Sequence, residues 1–257
     1  MLKIEDLRFS YSRRSAPVLN GVDLELRDGE IGILLGKNGS GKTTLFKNIL
    51  GIGTPSGGTI RFDGEDLLKL PKRDRARRIA YVPQHIHFGA LTVYDSILMG
   101  RVSYFGLRAG KEDYDVVDRI MAEMKLESFA DRNAENLSGG EKQKMALARA
   151  LYKNAPVVVL DEPTAALDAL AEYRLYQSFD GMIGEKSAVY ISHRLSSTRF
   201  CDTIAMFKGG EMVEYGTHDE LLKKDGAYAE MFRVQAQYYI EDGAEYVPAE
   251  EGGVVHE

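Results

Sequence analysis

The segment GKNGSGKT, residues 36–43, lies between an apolar run and a helix-like stretch, where a phosphate-binding loop would sit. Its glycines let the backbone turn so that the N–H groups of Asn38, Gly39, Ser40, Gly41, Lys42, Thr43 and Thr44 face an anion. The helix that follows adds the positive end of its dipole. Lys42 can neutralise the β and γ phosphates of a nucleotide, and the Thr43 hydroxyl suits Mg²⁺, a hard cation that prefers oxygen. A second group, VVVLDE at 157–162, ends an apolar run in two acids. Asp161 then falls at a strand tip near the metal, with Glu162 beside it as a candidate base for water. Kinases and GTPases share the loop, so the loop by itself specifies only nucleotide binding.

These residues need strands and helices to hold them. IGILL at 31–35 is continuously apolar, as suits a strand buried on both faces, and it runs straight into the glycine loop. KTTLFKNIL then places Leu45 and Ile49 four apart and stops at Gly51, a short helix with a C-terminal signal. The opening residues MLKIEDLRFSY, the Val22–Leu24–Leu26 alternation, Ile60 with Phe62, and IAYV at 79–82 read as strands. From about 86 to 135 the pattern turns helical: Val117, Ile120, Met121 and Met124 follow helical spacing, with the methionines expected in the core. Strands resume with VVVL, AVYI at 188–191 and TIAMF at 203–207, separated by helix-length segments as a mostly parallel α/β sheet requires. Thr217 and Glu220 have capping-box spacing for a last helical region.

Composition narrows the class. The 257 residues are 44% apolar, enough for a full core, and no run reaches the 18 or more apolar residues of a membrane span. The start resembles neither a signal nor a transit peptide, so a cytoplasmic location is expected. A net charge of −6 argues against general affinity for nucleic acid. The basic run PKRDRARR at 71–78 is expected as a solvated helical face or loop, and Cys201 as a small packed thiol. Residues 238–257 are expected as an acidic disordered tail: from 241 onward there are six acids and no Lys or Arg.

The segment LSGGEKQ at 137–143 distinguishes among nucleotide-binding classes. Ser138 and Glu141 have capping-box spacing, which puts Gly139 and Gly140 in the first turn of a helix whose free N–H groups form an anion site. LSGG upstream of LDEPT resembles the ABC ATPase family, over residues 1 to about 237. The resemblance implies an α/β P-loop NTPase (RecA-like) core with an N-terminal antiparallel β subdomain and an inserted helical subdomain: core 1–85 and 136–237, helices about 86–135. It also implies that ATP and Mg²⁺ are sandwiched between one subunit's glycine loop and, in trans, the Ser138, Gly139, Gly140, Glu141 and Asp168 of a second ATPase subunit, a homodimer. Tyr11 matches the residue that stacks on adenine. Gln84, in YVPQ, matches the glutamine that reaches Mg²⁺ and the attacking water. His193, in YISHR, matches the sensor of the γ-phosphate. The implied chemistry is hydrolysis, with Glu162 polarising water, Lys42 and Mg²⁺ stabilising charge, and metal ligands Thr43, Gln84 and Asp161.

Two subfamilies meet in the chain. YVPQHIHFGALTVYDSILMGR and ADRNAENLSGGEKQK resemble the ATPases of importers for iron chelates and cobalamin, whereas the sequence from AVYISHRLSSTRFCDT onward resembles exporter ATPase domains. Partner choice depends on the surface near Gln84, so the expected function is to power an importer of iron chelate, cobalamin or a similar nutrient. Separate transmembrane permease subunits would hold the chain on the inner face of the membrane. The alternatives are an exporter ATPase subunit and a soluble ABC ATPase of cofactor assembly. A small-molecule kinase has no need of LSGG, AALD and His193 together.

Overall fold

The computed structural model describes residues 1–12, 14–105, 108–164, 172 and 183–241. Strands β1 (Leu2–Phe9), β2 (Leu19–Leu26), β4 (Gly57–Phe62) and β5 (Glu65–Asp66) form an antiparallel sheet ordered β2-β1-β4-β5. A second sheet holds β3 (Ile31–Leu35), β6 (Ile79–Val82), β7 (Val157–Asp161), β8 (Ser187–Ile191), β9 (Thr203–Lys208) and β10 (Glu211–Gly216). Its order is β10-β9-β3-β8-β7-β6, parallel throughout except for the β9–β10 hairpin.

The continuously apolar strands have two faces to fill. On β7, Val157 and Val159 pack with Leu34, Val189 and Phe207 toward the antiparallel sheet and α1 (Lys42–Ile49). Val158 and Leu160 point the other way, with Ile33, Tyr190 and Met206, into a core shared with the helices. This alternation explains why β3, β7 and β8 are buried at every residue, and why their sequences lack the polar half of an amphipathic strand. Truncating a side chain such as Leu34 to Ala in such a layer costs about 2–5 kcal/mol.

The helical insertion contains α3 (Val93–Leu98) and α4 (Lys111–Glu123), which pack on each other and on α5 (Gly139–Lys153). Thr92 starts α3 by accepting from the Asp95 N–H at 3.0 Å. Val117, Ile120, Met121 and Met124 are buried, so the methionines are core residues as their spacing indicates. The stop at Gly51 is also present: Gly51 takes φ 67°, and the N–H of Ile52 closes the helix end on Lys47 O at 2.8 Å.

Three local features depart from the sequence reading. The basic run does form a helix, α2 (Lys72–Arg78), with no fully buried residue, yet it is not simply a solvated face. Arg73 and Arg77 donate to Ser103 O at 2.8 and 3.0 Å, and the guanidiniums of Arg77 and Arg101 lie over the Tyr104 ring, so arginines fasten the helical insertion to α2, which runs into β6. Strand β10 was not anticipated. Its signal was the Gly209–Gly210 pair, both at positive φ, which makes the tight turn of a hairpin with β9. Finally, α6 (His218–Lys224) is capped by Thr217 and Glu220 as expected, but α7 (Ala227–Glu241) runs to 241, four residues into the stretch expected as tail. Residues 242–257 lie outside the described residues.

Cys201 is a packed thiol, its Sγ 3.1 Å from Thr198 O, and burial pushes its acidity down, to a pKa of about 12.

Glu135 joins the insertion to α5. Its carboxylate accepts from the N–H groups of Phe88 and Gly89 and from Lys142 Nζ, at 2.7, 3.2 and 2.9 Å. The Lys142 contact first, then the backbone donors, hold its pKa at about 2, below the ordinary 4.5. A depressed carboxyl pKa contributes stability above the unfolded-state value and loses it as pH falls through the folded-state value. Glu135→Gln should therefore lower the melting temperature at pH 7, and the gap to the parent should close as pH falls from about 4.5 to about 2. Thermal melts of both proteins across that range check this.

Candidate functional site

The parallel strands deliver the site at their carboxyl ends, where an open α/β sheet places its ligands. Strand β3 leads into the glycine loop, whose turn depends on two positions in particular. Gly36 has φ 142°, and a Cβ there would stand 2.3 Å from Phe207 O. Gly41 caps α1 at φ 108°, with Val18 O 2.9 Å from the place of a Cβ. Any side chain at either position would push the loop off the sheet. Beyond them, Lys42 is buried, its Nζ donating to Gly36 O at 2.6 Å and Lys37 O at 3.1 Å. Burial lowers its pKa, opposed by the negative charges of Glu162 and Asp161. Among the described residues, the buried Ser40 Oγ has no hydrogen-bond partner. A buried ammonium held by carbonyls of its own loop, beside a hydroxyl with no partner among the described residues, fits the oxygens of an anion.

The loop opens on a cleft of about 380 Å³ lined by Tyr11, Val18, Asn38, Gly39, Ser40, Gly41, Lys42, Thr43, Thr44 and Glu162. Tyr11 stands past the end of β1, its OH 3.0 Å from Thr44 Oγ1 and its ring edge-on to Phe9. It is 62% exposed, so one face of the ring is free for a planar ligand.

Asp161 closes β7 inside the sheet. The Thr43 hydroxyl donates to its Oδ1 at 3.3 Å and the Tyr81 hydroxyl approaches its Oδ2 at 3.5 Å. Burial raises the Asp161 pKa despite those two hydroxyls. The same burial, with the Asp161 charge, pushes Tyr81 up to about 12. A desolvated carboxylate next to a threonine hydroxyl is an all-oxygen pair that fits a hard divalent cation such as Mg²⁺.

Glu162 is the junction of the site. It sits at φ 50°, a left-handed position that a non-glycine residue occupies only when its surroundings hold it there, and its N–H donates to Ile191 O at 3.2 Å. Gln84 Nε2 donates to one carboxylate oxygen at 2.6 Å, and His193 Nε2 lies 2.9 Å from the other. Three sequence-predicted residues, from the ends of β6, β7 and β8, thus meet on one carboxylate.

The remaining predicted residues lie apart. Ser138 caps α5, accepting from the Glu141 N–H at 3.3 Å while its own N–H donates to Glu141 Oε2 at 2.7 Å. That reciprocal pair keeps the Glu141 pKa low and leaves Gly139 and Gly140 in the helix's first turn. None of Ser138, Gly139, Gly140 and Glu141 lines the cleft of this chain's own glycine loop. Asp168 lies outside the described residues.

Sequence reasoning missed a buried brace behind Glu162. Glu172, 1% exposed, accepts from Thr164 Oγ1 at 2.8 Å and from Arg194 Nη1 at 2.6 Å. It thereby ties the segment after Glu162 to the segment after His193. Gln235 on α7 adds a bond to His193 O at 3.1 Å. No spacing in the sequence announces either contact, because both join residues far apart in the chain; only the position of Arg194, directly after His193, offered a hint.

A parallel sheet, a phosphate-cradling loop and an acidic strand tip define a P-loop nucleoside triphosphatase. A family model described as ABC transporter matches residues 19–165, and the chain belongs to that family. It is an ABC-type ATPase with an α/β core, an antiparallel β subdomain and a helical insert. It is 34% identical over 245 residues to an ATP-dependent lipid A-core flippase of Ralstonia nicotianae, covering 91% of this chain and 40% of that protein. The same name belongs to a Chromobacterium violaceum protein, 34% identical over 242 residues, with 91% of this chain and 41% of that one covered. The chain thus spans about 40% of the length of these curated relatives. Among solved structures it superposes on a bacterial Atm1-family ABC exporter with ATP bound, with TM-score 0.81, 30% identity, and 91% and 41% of the two chains covered. It also matches the ATP-binding cassette MJ0796 in a dimeric post-hydrolysis state bound to ADP and Pi, with TM-score 0.76, 26% identity, and 84% and 98% covered. These relatives are exporters and flippases where a transport direction is named, so they favour the exporter alternative over the importer expected from the first half of the sequence. Among the described residues, no helix is long and apolar enough to cross a membrane.

Breaking one side of a buried ion pair costs about 3–5 kcal/mol, less where a partner is partly solvated as Arg194 is, 34% exposed. Glu172→Ala should therefore destabilise the chain by about 2 kcal/mol, measured by urea denaturation, while ATP affinity of the folded protein changes less than twofold.

Proposed function

We propose that the chain is the ATP-hydrolysing motor of an export-type ABC transporter, working as a pair of cassettes on membrane-spanning partners at the inner face of the cell membrane. The Glu162 carboxylate, held between Gln84 and His193 at the mouth of the glycine-loop cleft, is the observation that carries the reading. The γ-phosphate rests on the loop N–H groups and Lys42, and adenine stacks on the free face of Tyr11. Glu162 polarises a water for in-line attack. His193 holds that carboxylate and senses the γ-phosphate, and Gln84 reaches the same water. Thr43, Asp161 and Gln84 would hold Mg²⁺, which when bound would offset the charge of the phosphates.

Catalysis needs a second copy. The capped start of α5, at Ser138–Glu141, presents free N–H groups and the positive end of a 15-residue helix dipole away from its own nucleotide cleft. In a head-to-tail pair, that end meets the γ-phosphate held by the partner copy, with Asp168 contacting across the interface. The flippase and exporter relatives and the exporter-like second half of the sequence support the exporter direction. A membrane partner can be a separate permease subunit.

Glu162→Gln should bind Mg²⁺–ATP with affinity close to the parent, lose ATPase turnover on the order of 10²-fold or more, and elute as a closed dimer with ATP in size-exclusion chromatography. Normal turnover by this variant would remove Glu162 as the base. Co-purification from detergent-solubilised membranes, followed by transport assays in vesicles of both orientations, tests the membrane partner and the direction; ATP-driven uptake from the outside would refute export.

A further inference from the structure

The last helix, α7, starts on the β9–β10 hairpin and passes the loop that follows β8. Its first turn is fixed by Glu214 of β10, 8% exposed, whose carboxylate accepts from the N–H groups of Ala227 and Tyr228 at 2.8 and 2.9 Å. A carboxylate there also suits the positive end of the helix dipole. Gly226 permits the approach, since a Cβ at that position would collide with Glu214 Oε1. Tyr228 and Ala229 are buried, and the Tyr228 hydroxyl lies 2.6 Å from His218 Nδ1 on α6.

From that anchored start, helical spacing puts Ala227, Glu230, Met231, Val234 and Gln235 on one face, which looks across a cavity of about 680 Å³ to the glycine loop. Gln235 ends this row, about two turns along the helix from Ala227. Its side-chain amide turns to the loop after β8, with Nε2 donating to His193 O at 3.1 Å. The ring of the same histidine holds Glu162, Nε2 to Oε1, at 2.9 Å. The His193 side chain is 38% exposed, so packing alone does not aim it and the backbone that carries it must be held. Glu172 holds the next residue, Arg194, and Gln235 holds His193 itself. Such holding matters for rate, because a misplacement of about 1 Å at a reacting group can cost on the order of 10²-fold.

We propose that Gln235 is a positioning residue for ATP hydrolysis: given the roles proposed for His193 and Glu162, its amide fixes the His193 carbonyl and thereby keeps the ring on the Glu162 carboxylate. Helix α7 is then part of the ATPase machinery. The Gly210 N–H donates to Ser40 O at 3.1 Å, so the hairpin that anchors α7 is itself bonded to the glycine loop. Loop, hairpin, helix and histidine are joined in one run of contacts.

The test compares the full chain with Gln235→Leu, which removes the donor, and Gln235→Lys, which restores one. Gln235→Leu should lower kcat for ATP about three- to tenfold with KM changed less than about twofold, and Gln235→Lys should recover turnover to within about twofold of the parent. The chain has five histidines, few enough for their ring signals to be followed by ¹H–¹³C NMR. The His193 signal, assigned by its loss in His193→Ala, should shift in Gln235→Leu and move back toward the parent position in Gln235→Lys. The His218 signal, which reports the docked start of α7, should stay in place. A shift at His218, or equal losses of turnover in Gln235→Leu and Gln235→Lys, assigns the effect to the packing of α7 and overturns the proposal. Parental turnover in Gln235→Leu alongside a loss in His193→Ala removes Gln235 alone. Parental turnover in His193→Ala removes the role of the histidine itself, and the positioning role with it.

Discussion

The contact on which the site turns is the Glu162 carboxylate, shared between Gln84 and His193. It exists because β6, β7 and β8 lie side by side in the same direction and end at the same level. Each strand leaves the sheet within two residues of the side chain it supplies. A slip of one residue in any of these registers would turn the apolar set of that strand to the wrong face, so the packing that fills both sides of the sheet also fixes the catalytic geometry.

The same burial sets the electrostatics. Lys42 and Asp161 lie on neighbouring elements in a dry region, and each is shifted toward its neutral form. The folded chain thus bears desolvated charges that a phosphate chain and a divalent cation would stabilise, a binding site prepared at the expense of stability. The left-handed Glu162 and the brace through Glu172 and Arg194 belong to the same pattern: local strain at the strand tip, held by a buried ion pair behind it.

The question of transport direction separates two kinds of sequence signal. The stretch around Gln84 looks like an importer ATPase, and the second half like an exporter's. Similarity across nine-tenths of the chain goes with the exporters and flippases. The phosphate machinery is common to both groups, because hydrolysis makes the same demands on the loop, the acidic pair and the histidine whatever is moved. Partner surfaces are free to drift, and short stretches of them carry little weight against the whole chain.

By itself, the sequence determined the local chemistry. GKNGSGKT, LDE and the Ser138–Glu141 spacing each fall within a few residues, so loop, strand tip and capped helix were legible from backbone rules. The buried strands were legible too, since a layer packed on both faces tolerates only apolar residues. Tertiary structure decided what depends on distance along the chain: that Gln84 and His193 share Glu162, that Glu172 braces Arg194, and that arginines of the basic helix α2 fasten the helical insertion to it. These contacts join side chains separated by 22 to 78 positions, and each depends on how whole elements pack. No local pattern encodes such a meeting, because each side chain would be acceptable on a solvated surface and becomes specific only when folding removes the water around it.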